Sequence, residues 1–179
     1  MIEKKHLMYA YLPQPLTTII DICRFEKGPQ DLPYSVWMLG AFLATYTLGR
    51  TLVALFTMPA RMAALAGVID SALLAAIVAA VLWVRHLYSR ITQALIACLA
   101  VGSVVSLLTI VGYSVVSLSP HPLLLLGVGH ALTFPLILWN LALNAHILRE
   151  ALSTRITVGF AVAFVYLVIL WQITERMVH

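Results

Sequence analysis

Arg50, Asp70 and His130 are the residues of this sequence whose types can do chemistry in an apolar setting, because each stands inside a long hydrophobic run. An ionisable side chain in such a run is costly to bury and faces partners rather than lipid, so relative depth matters. Arg50 stands eight residues before Met58, where the first run ends; Asp70 stands eight after Met62, where the second begins; His130 stands eight after Pro122, where the fourth begins. At about 1.5 Å of helix per residue the three share one level, ~12 Å from a common boundary. A guanidinium, a carboxylate and an imidazole in one layer are the components of a substrate site or a proton path, since an imidazole beside a carboxylate titrates near physiological pH. They are equally the components of a tie between the first two helices, with Arg50 paired to Asp70 and His130 a neutral hydrogen-bonding neighbour.

The fourth run adds a stripe. His130, Thr133, Ile137, Asn140 and Asn144 fall on one helix face about 80° wide at 100° per residue. Such a stripe suits an interior seam, where amides bond across helices, or the wall of a wet groove. Pro135 lies within it and predicts a kink that frees the carbonyl of Ala131, because a ring nitrogen carries no proton to donate back along the helix. Other chemistries are absent from the pattern. There is no HExxH pair, no glycine-rich phosphate loop and no GxSxG elbow, so no catalytic set, cofactor or metal is implied. Cys23 and Cys98 stand far apart without ligand spacing, which leaves them as ordinary packing residues.

The elements that position these residues follow from composition. In 179 residues, 62% hydrophobic and 10% charged, there is more apolar surface than a soluble core absorbs, so lipid is the solvent for most of the chain. Five runs approach or exceed the ~20 residues a spanning helix needs: residues 36–57, 62–84, 91–117, 122–148 and 156–173. Turns are expected at 58–61, 85–90, 119–122 and 149–155, with Thr154 or Ser153 capping the last helix. The net charge of +4 comes from residues scattered between the runs, not from a stripe that follows a phosphate backbone, so no nucleic acid is expected. Those charges orient the bundle instead. Lys4, Lys5, Arg24, Lys27, Arg85, Arg90, Arg149 and Arg155 fall on the N-terminal side, against Arg61 and Arg176 on the other, which predicts a cytoplasmic N-terminus and an external C-terminus. The first residues lack a signal-peptide core and cleavage site, so the N-terminus is expected to be retained.

Ahead of the first run, Leu16, Ile19, Ile20 and Cys23 recur at helical spacing, with Thr17, Asp21 and Arg24 on the other side. An amphipathic helix over residues 15–25 follows, with Pro15 in its first turn and Gly28-Pro29 at its end. It lies on the cytoplasmic lipid surface or packs under the bundle. Leu32-Pro33 keeps the next stretch extended and Ser35 is placed to cap the first run. The expected organisation is therefore all-α: residues 1–34 form a cytoplasmic segment with the amphipathic helix, and residues 35–179 form a polytopic five-helix transmembrane bundle.

Gly112-Tyr113 near the end of the third run, the proline turn after it, then Trp139-Asn140 and Ile147-Leu-Arg-Glu150 before the last run complete an order of features that resembles the Yip family, the Rab-interacting five-span membrane proteins, from about residue 15 onward. The resemblance implies a five-helix bundle with the same orientation as the charge count. The long cytosolic N-terminal region of many eukaryotic relatives has no counterpart here, so a bacterial-type member in the inner membrane is expected rather than a Rab partner. The function expected on these grounds is non-enzymatic: a membrane organiser or partner subunit, in contact with the bilayer and with other membrane proteins or further copies of itself. The alternative is a small transporter or channel component that uses the polar cluster of Arg50, Asp70, His130, Thr133, Asn140 and Asn144.

Overall fold

The structure, a computed structural model, describes residues 13–117 and 122–178, with side chains except at 117, 122–130, 132 and 178. Lys4, Lys5 and residues 119–121 of the proline turn lie outside the described residues. Six helices follow in order: α1 Gln14–Cys23, α2 Val36–Ala54, α3 Ala60–Val84, α4 Ile91–Ser117, α5 Pro122–Leu152 and α6 Ile156–Val178. Short 3-10 turns occupy Pro29–Asp31 and Tyr88–Arg90, and no strand occurs among the described residues. Four helical stretches among the described residues are long and apolar enough to cross a membrane: Val36–Ala54, Ala60–Val84, Tyr88–Val116 and Ile156–Met177. Unlike amphipathic surface helices, they are apolar all round, as lipid-facing or fully buried helices are.

Helix α4 is the hub. It packs against α2, α3 and α5, and α1 touches it from one end. In its most apolar window 61% of positions are buried, against 6% for α2. Helix α6 closes the bundle by packing against α5 and α3. Small residues permit the close crossings, as expected where packing rather than hydrophobic exclusion drives association. Gly102 of α4 lies against the ring of Tyr46, and Gly67 of α3 lies against Thr51 and the carbonyl of Thr47; a methyl group on either would collide with those atoms.

At the end of the bundle that carries α1, three helices stop in the same way. The N–H of Glu26 reaches the carbonyl of Asp21, that of Leu87 reaches Leu82, and that of Thr154 reaches Arg149. Each closure is a Schellman-type bond over a residue with positive φ, Phe25 (62°), His86 (55°) or Ser153 (51°), the position where glycine is usual. Helix α1 therefore ends at Cys23 with its closure over Phe25, two residues short of the expected span of 15–25 and ahead of Gly28-Pro29. Neither expected cap of α6 forms: the Ser153 hydroxyl receives Arg90 Nη1 at 2.7 Å, and the buried Thr154 hydroxyl has no hydrogen-bond partner. Ser35 does cap α2, accepting from the Met38 N–H at 3.3 Å.

The polar stretch between α1 and α2 is pinned to the bundle. His146 Nε2 meets the Lys27 carbonyl at 3.0 Å, and Phe25 stands edge-on to that imidazole at 5.4 Å. Gln93 donates to the Leu32 carbonyl at 2.8 Å. Ile22 and Leu32 are fully buried there and Ile19 nearly so, while Leu16 is exposed. Helix α1 thus buries its Ile19 and Ile22 side against α4 and α5.

Candidate functional site

Helix α2 places Tyr46 and Arg50 one turn apart on one face, a spacing that stacks side chains at i and i+4. Both reach Asp70 of α3, which is 2% exposed. Arg50 donates through Nε to Asp70 Oδ2. The Tyr46 hydroxyl donates to Oδ1 at 3.1 Å, and the Tyr166 hydroxyl of α6 donates to the same oxygen. The two hydroxyls stand 3.1 Å apart. Asp70 is therefore met by three donors from two helices, and α2, α3 and α6 are joined at one carboxylate. A buried charge is tolerated only when paired and hydrogen-bonded in this manner.

Arg50 is placed differently. About a third of its side chain, 32%, remains exposed. It spends only Nε on Asp70, and its two terminal nitrogens have no hydrogen-bond partner among the described residues. Arg50 lines a cavity of ≈ 240 Å³ among four helices. Its walls are Val53 of α2; Val105, Thr109 and Tyr113 of α4; Thr133, Leu136, Ile137 and Asn140 of α5; and Tyr166, Leu167, Leu170, Trp171 and Thr174 of α6. A smaller cavity of ≈ 130 Å³ shares Arg50, Val53, Tyr113, Leu170 and Thr174 and extends to Ala66 and Asp70. Arg50 thus stands where the two meet.

Of the expected stripe, Thr133, Ile137 and Asn140 line the larger cavity. Asn144 lies one turn further along α5, 6% exposed, and donates to the Asn140 carbonyl and side-chain oxygen, each at 2.9 Å. Its own Oδ1 is buried with no hydrogen-bond partner. His130 belongs to α5 one turn before Thr133, but its side chain lies outside the described residues. Arg50 and Asp70 meet as their shared depth predicts. Tyr46 and Tyr166 are absent from the sequence-derived set; tyrosine in an apolar run reads as an interfacial anchor, and only the i, i+4 relation of Tyr46 to Arg50 signals otherwise. Tyr113 stacks on Phe56 at 5.1 Å and forms cavity wall.

No group of three or more His, Cys, Asp or Glu able to hold a metal occurs among the described residues. Cys23 is held protonated, burial pushing its thiol up to about 11. Near the α1 end, Glu150 is drawn below the usual carboxylate range, chiefly by its hydrogen bond from Arg149 and against a smaller opposing effect of burial. No family model, curated protein or solved structure matches this chain.

Proposed function

We propose that the chain is a non-enzymatic, five-span membrane protein that holds a small ligand in the cavity beside Arg50, as a component of a transporter or channel does. The observation that carries this reading is the meeting of a partly exposed Arg50 side chain with the Thr133 and Asn140 wall of a ≈ 240 Å³ space among apolar helices. A cation with unpaired donors at membrane depth is costly unless water or a ligand meets it. On this reading the carboxylate knot is the rigid support and the open side of Arg50 is the working surface. The count of basic residues, eight against two, supports a bacterial inner-membrane location with the N-terminus cytoplasmic and the cavity toward the periplasmic half. The resemblance to the Yip family supports the same topology.

Cysteine accessibility tests it. In a background with Cys23 and Cys98 replaced, cysteines at Thr133 and Asn140 should react with a charged, water-soluble thiol reagent faster than cysteines at Phe134 and Leu138, which are 62% and 49% exposed on the outer surface. Equal protection at all four positions overturns the ligand-holding reading.

A second reading has its own observation. Helix α2 leaves Trp37 and Leu48 92% and 64% exposed, and so presents an apolar face that another membrane protein or a second copy would cover. On that reading the chain is a membrane organiser or partner subunit. Cross-linking through a cysteine at Leu48 in native membranes checks it.

A further inference from the structure

We infer that the cavity beside Arg50 takes the anionic oxygen group, phosphate or carboxylate, of a single-headed amphiphile whose tail leaves between α5 and α6. This rests on the ligand-holding reading above and names the ligand's chemistry. Three features point to it. Asp70 engages Arg50 only through Nε, while its other oxygen is held by Tyr46 and Tyr166; the carboxylate therefore orients the guanidinium without using its two-pronged outer edge. That edge is the geometry that grips a phosphate or carboxylate with two parallel hydrogen bonds. Asn140 and Thr133 stand in the same cavity and supply further polar contacts beside it.

The rest of the lining is apolar, with Leu136, Leu167 and Leu170 among it, which suits an alkyl chain better than a hydrated ion. The cavity also reaches the outer surface of the bundle: Ile137 and Trp171 form part of its wall yet are 40% and 68% exposed. In a bilayer that surface meets acyl chains, so the opening faces lipid. An amphiphile can then enter sideways with its head at Arg50 and leave its tail outside.

Native mass spectrometry of the full chain released from a non-ionic detergent reads this directly. The probes are dioleoyl phosphatidylglycerol, dioleoylglycerol, which has the same tails and no phosphate, and inorganic phosphate. We expect one phosphatidylglycerol retained per chain, about tenfold more tightly than dioleoylglycerol, and displaced by inorganic phosphate only weakly. Asn140→Leu, which fills the cavity without touching the carboxylate knot and leaves Asn144 its bond to the backbone carbonyl of residue 140, should abolish the preference while lowering thermal melting by no more than the one lost side-chain bond. If Asn140→Leu melts early, Thr133→Val provides the same reading with a smaller change of shape. Full displacement by millimolar inorganic phosphate supports the anionic site and assigns it to a free anion rather than a lipid, overturning the amphiphile. Equal retention of the two lipids, or a preference untouched by both variants, overturns the proposal. The accessibility experiment separates the failures: reactive cysteines at Thr133 and Asn140 with no anion preference leave a ligand cavity of other chemistry, whereas protected cysteines remove the cavity's function as well.

Discussion

Around Asp70 the consequences of single changes differ by donor. Asp70→Asn removes the charge that Arg50 answers and leaves a guanidinium in an apolar bundle, so a loss of about 3–5 kcal/mol is expected. Arg50→Gln strands the carboxylate in the same way. The double variant Arg50→Gln, Asp70→Asn removes both charges and should recover much of the deficit, because breaking a buried pair on one side costs more than replacing both sides. Tyr166→Phe deletes one of three donors and should cost about 1–2 kcal/mol. Thermal melting of the purified chain in one detergent checks the series; a double variant no more stable than either single one contradicts the pairing. The Arg50–Asp70 meeting was legible because two helices joined by a short turn bring equal depths to equal heights. The tyrosines were not, since nothing in a single sequence fixes the rotation of α6 about its axis, and that rotation is what turns Tyr166 toward Asp70. At the other end, Glu150 supplies a pH dependence of definite sign: its carboxyl is drawn down in the folded chain, so its contribution is present above the ordinary glutamate range and fades as pH falls through the lowered value. Glu150→Gln should flatten the acid side of the melting profile.

Among elements, helix ends and helix crossings set the tolerances. His86 holds a left-handed conformation at the close of α3, and its exposed ring meets the Tyr88 hydroxyl at 3.1 Å, so His86→Gly relieves a strain of roughly 1 kcal/mol at the loss of that exposed contact and should raise the melting temperature by no more than about 2–4 °C. Phe25 has the same conformation but its ring meets His146; Phe25→Gly trades strain for that contact and should gain less. At the crossings, Gly102→Ala drives a methyl group into Tyr46 and should cost about 1–3 kcal/mol, whereas a methyl group on Gly40 meets open space and Gly40→Ala should be neutral or slightly stabilising. The sequence marks both glycines alike as small residues in apolar runs. Only the packing of α2 on α4 separates them. Run length and periodicity set the helices well, α1 ending at Cys23 against an expected 25, yet Phe25 gives no sign of the left-handed closure that it forms.

For the molecule as a whole, the quantity that decides topology is the number of crossings, and length and charge both bear on it. Helix α5 has 31 residues, about 46 Å of helix, against a hydrocarbon core of ~30 Å. It is therefore long enough to span and still carry His146, Arg149 and Glu150 beyond the bilayer, where His146 holds Lys27 and with it the polar stretch that precedes α2. On the five-span reading proposed above, α5 adds a crossing to the four apolar stretches, and an odd number would put the termini on opposite sides. A C-terminal alkaline phosphatase fusion should accordingly be active in a bacterial host and a C-terminal green fluorescent protein dark, with the reverse for fusions truncated after Arg90. On the same reading the orienting charges are concentrated at Arg85, Arg90, Arg149 and Arg155, so neutralising all four while adding lysines beside Arg61 and Arg176 should invert part of the population. Fluorescence from the wild-type C-terminal fusion would mean an even number of crossings. It would leave α5 as a helix buried within the bundle, with its polar wall at Thr133 and Asn140 reached only from inside.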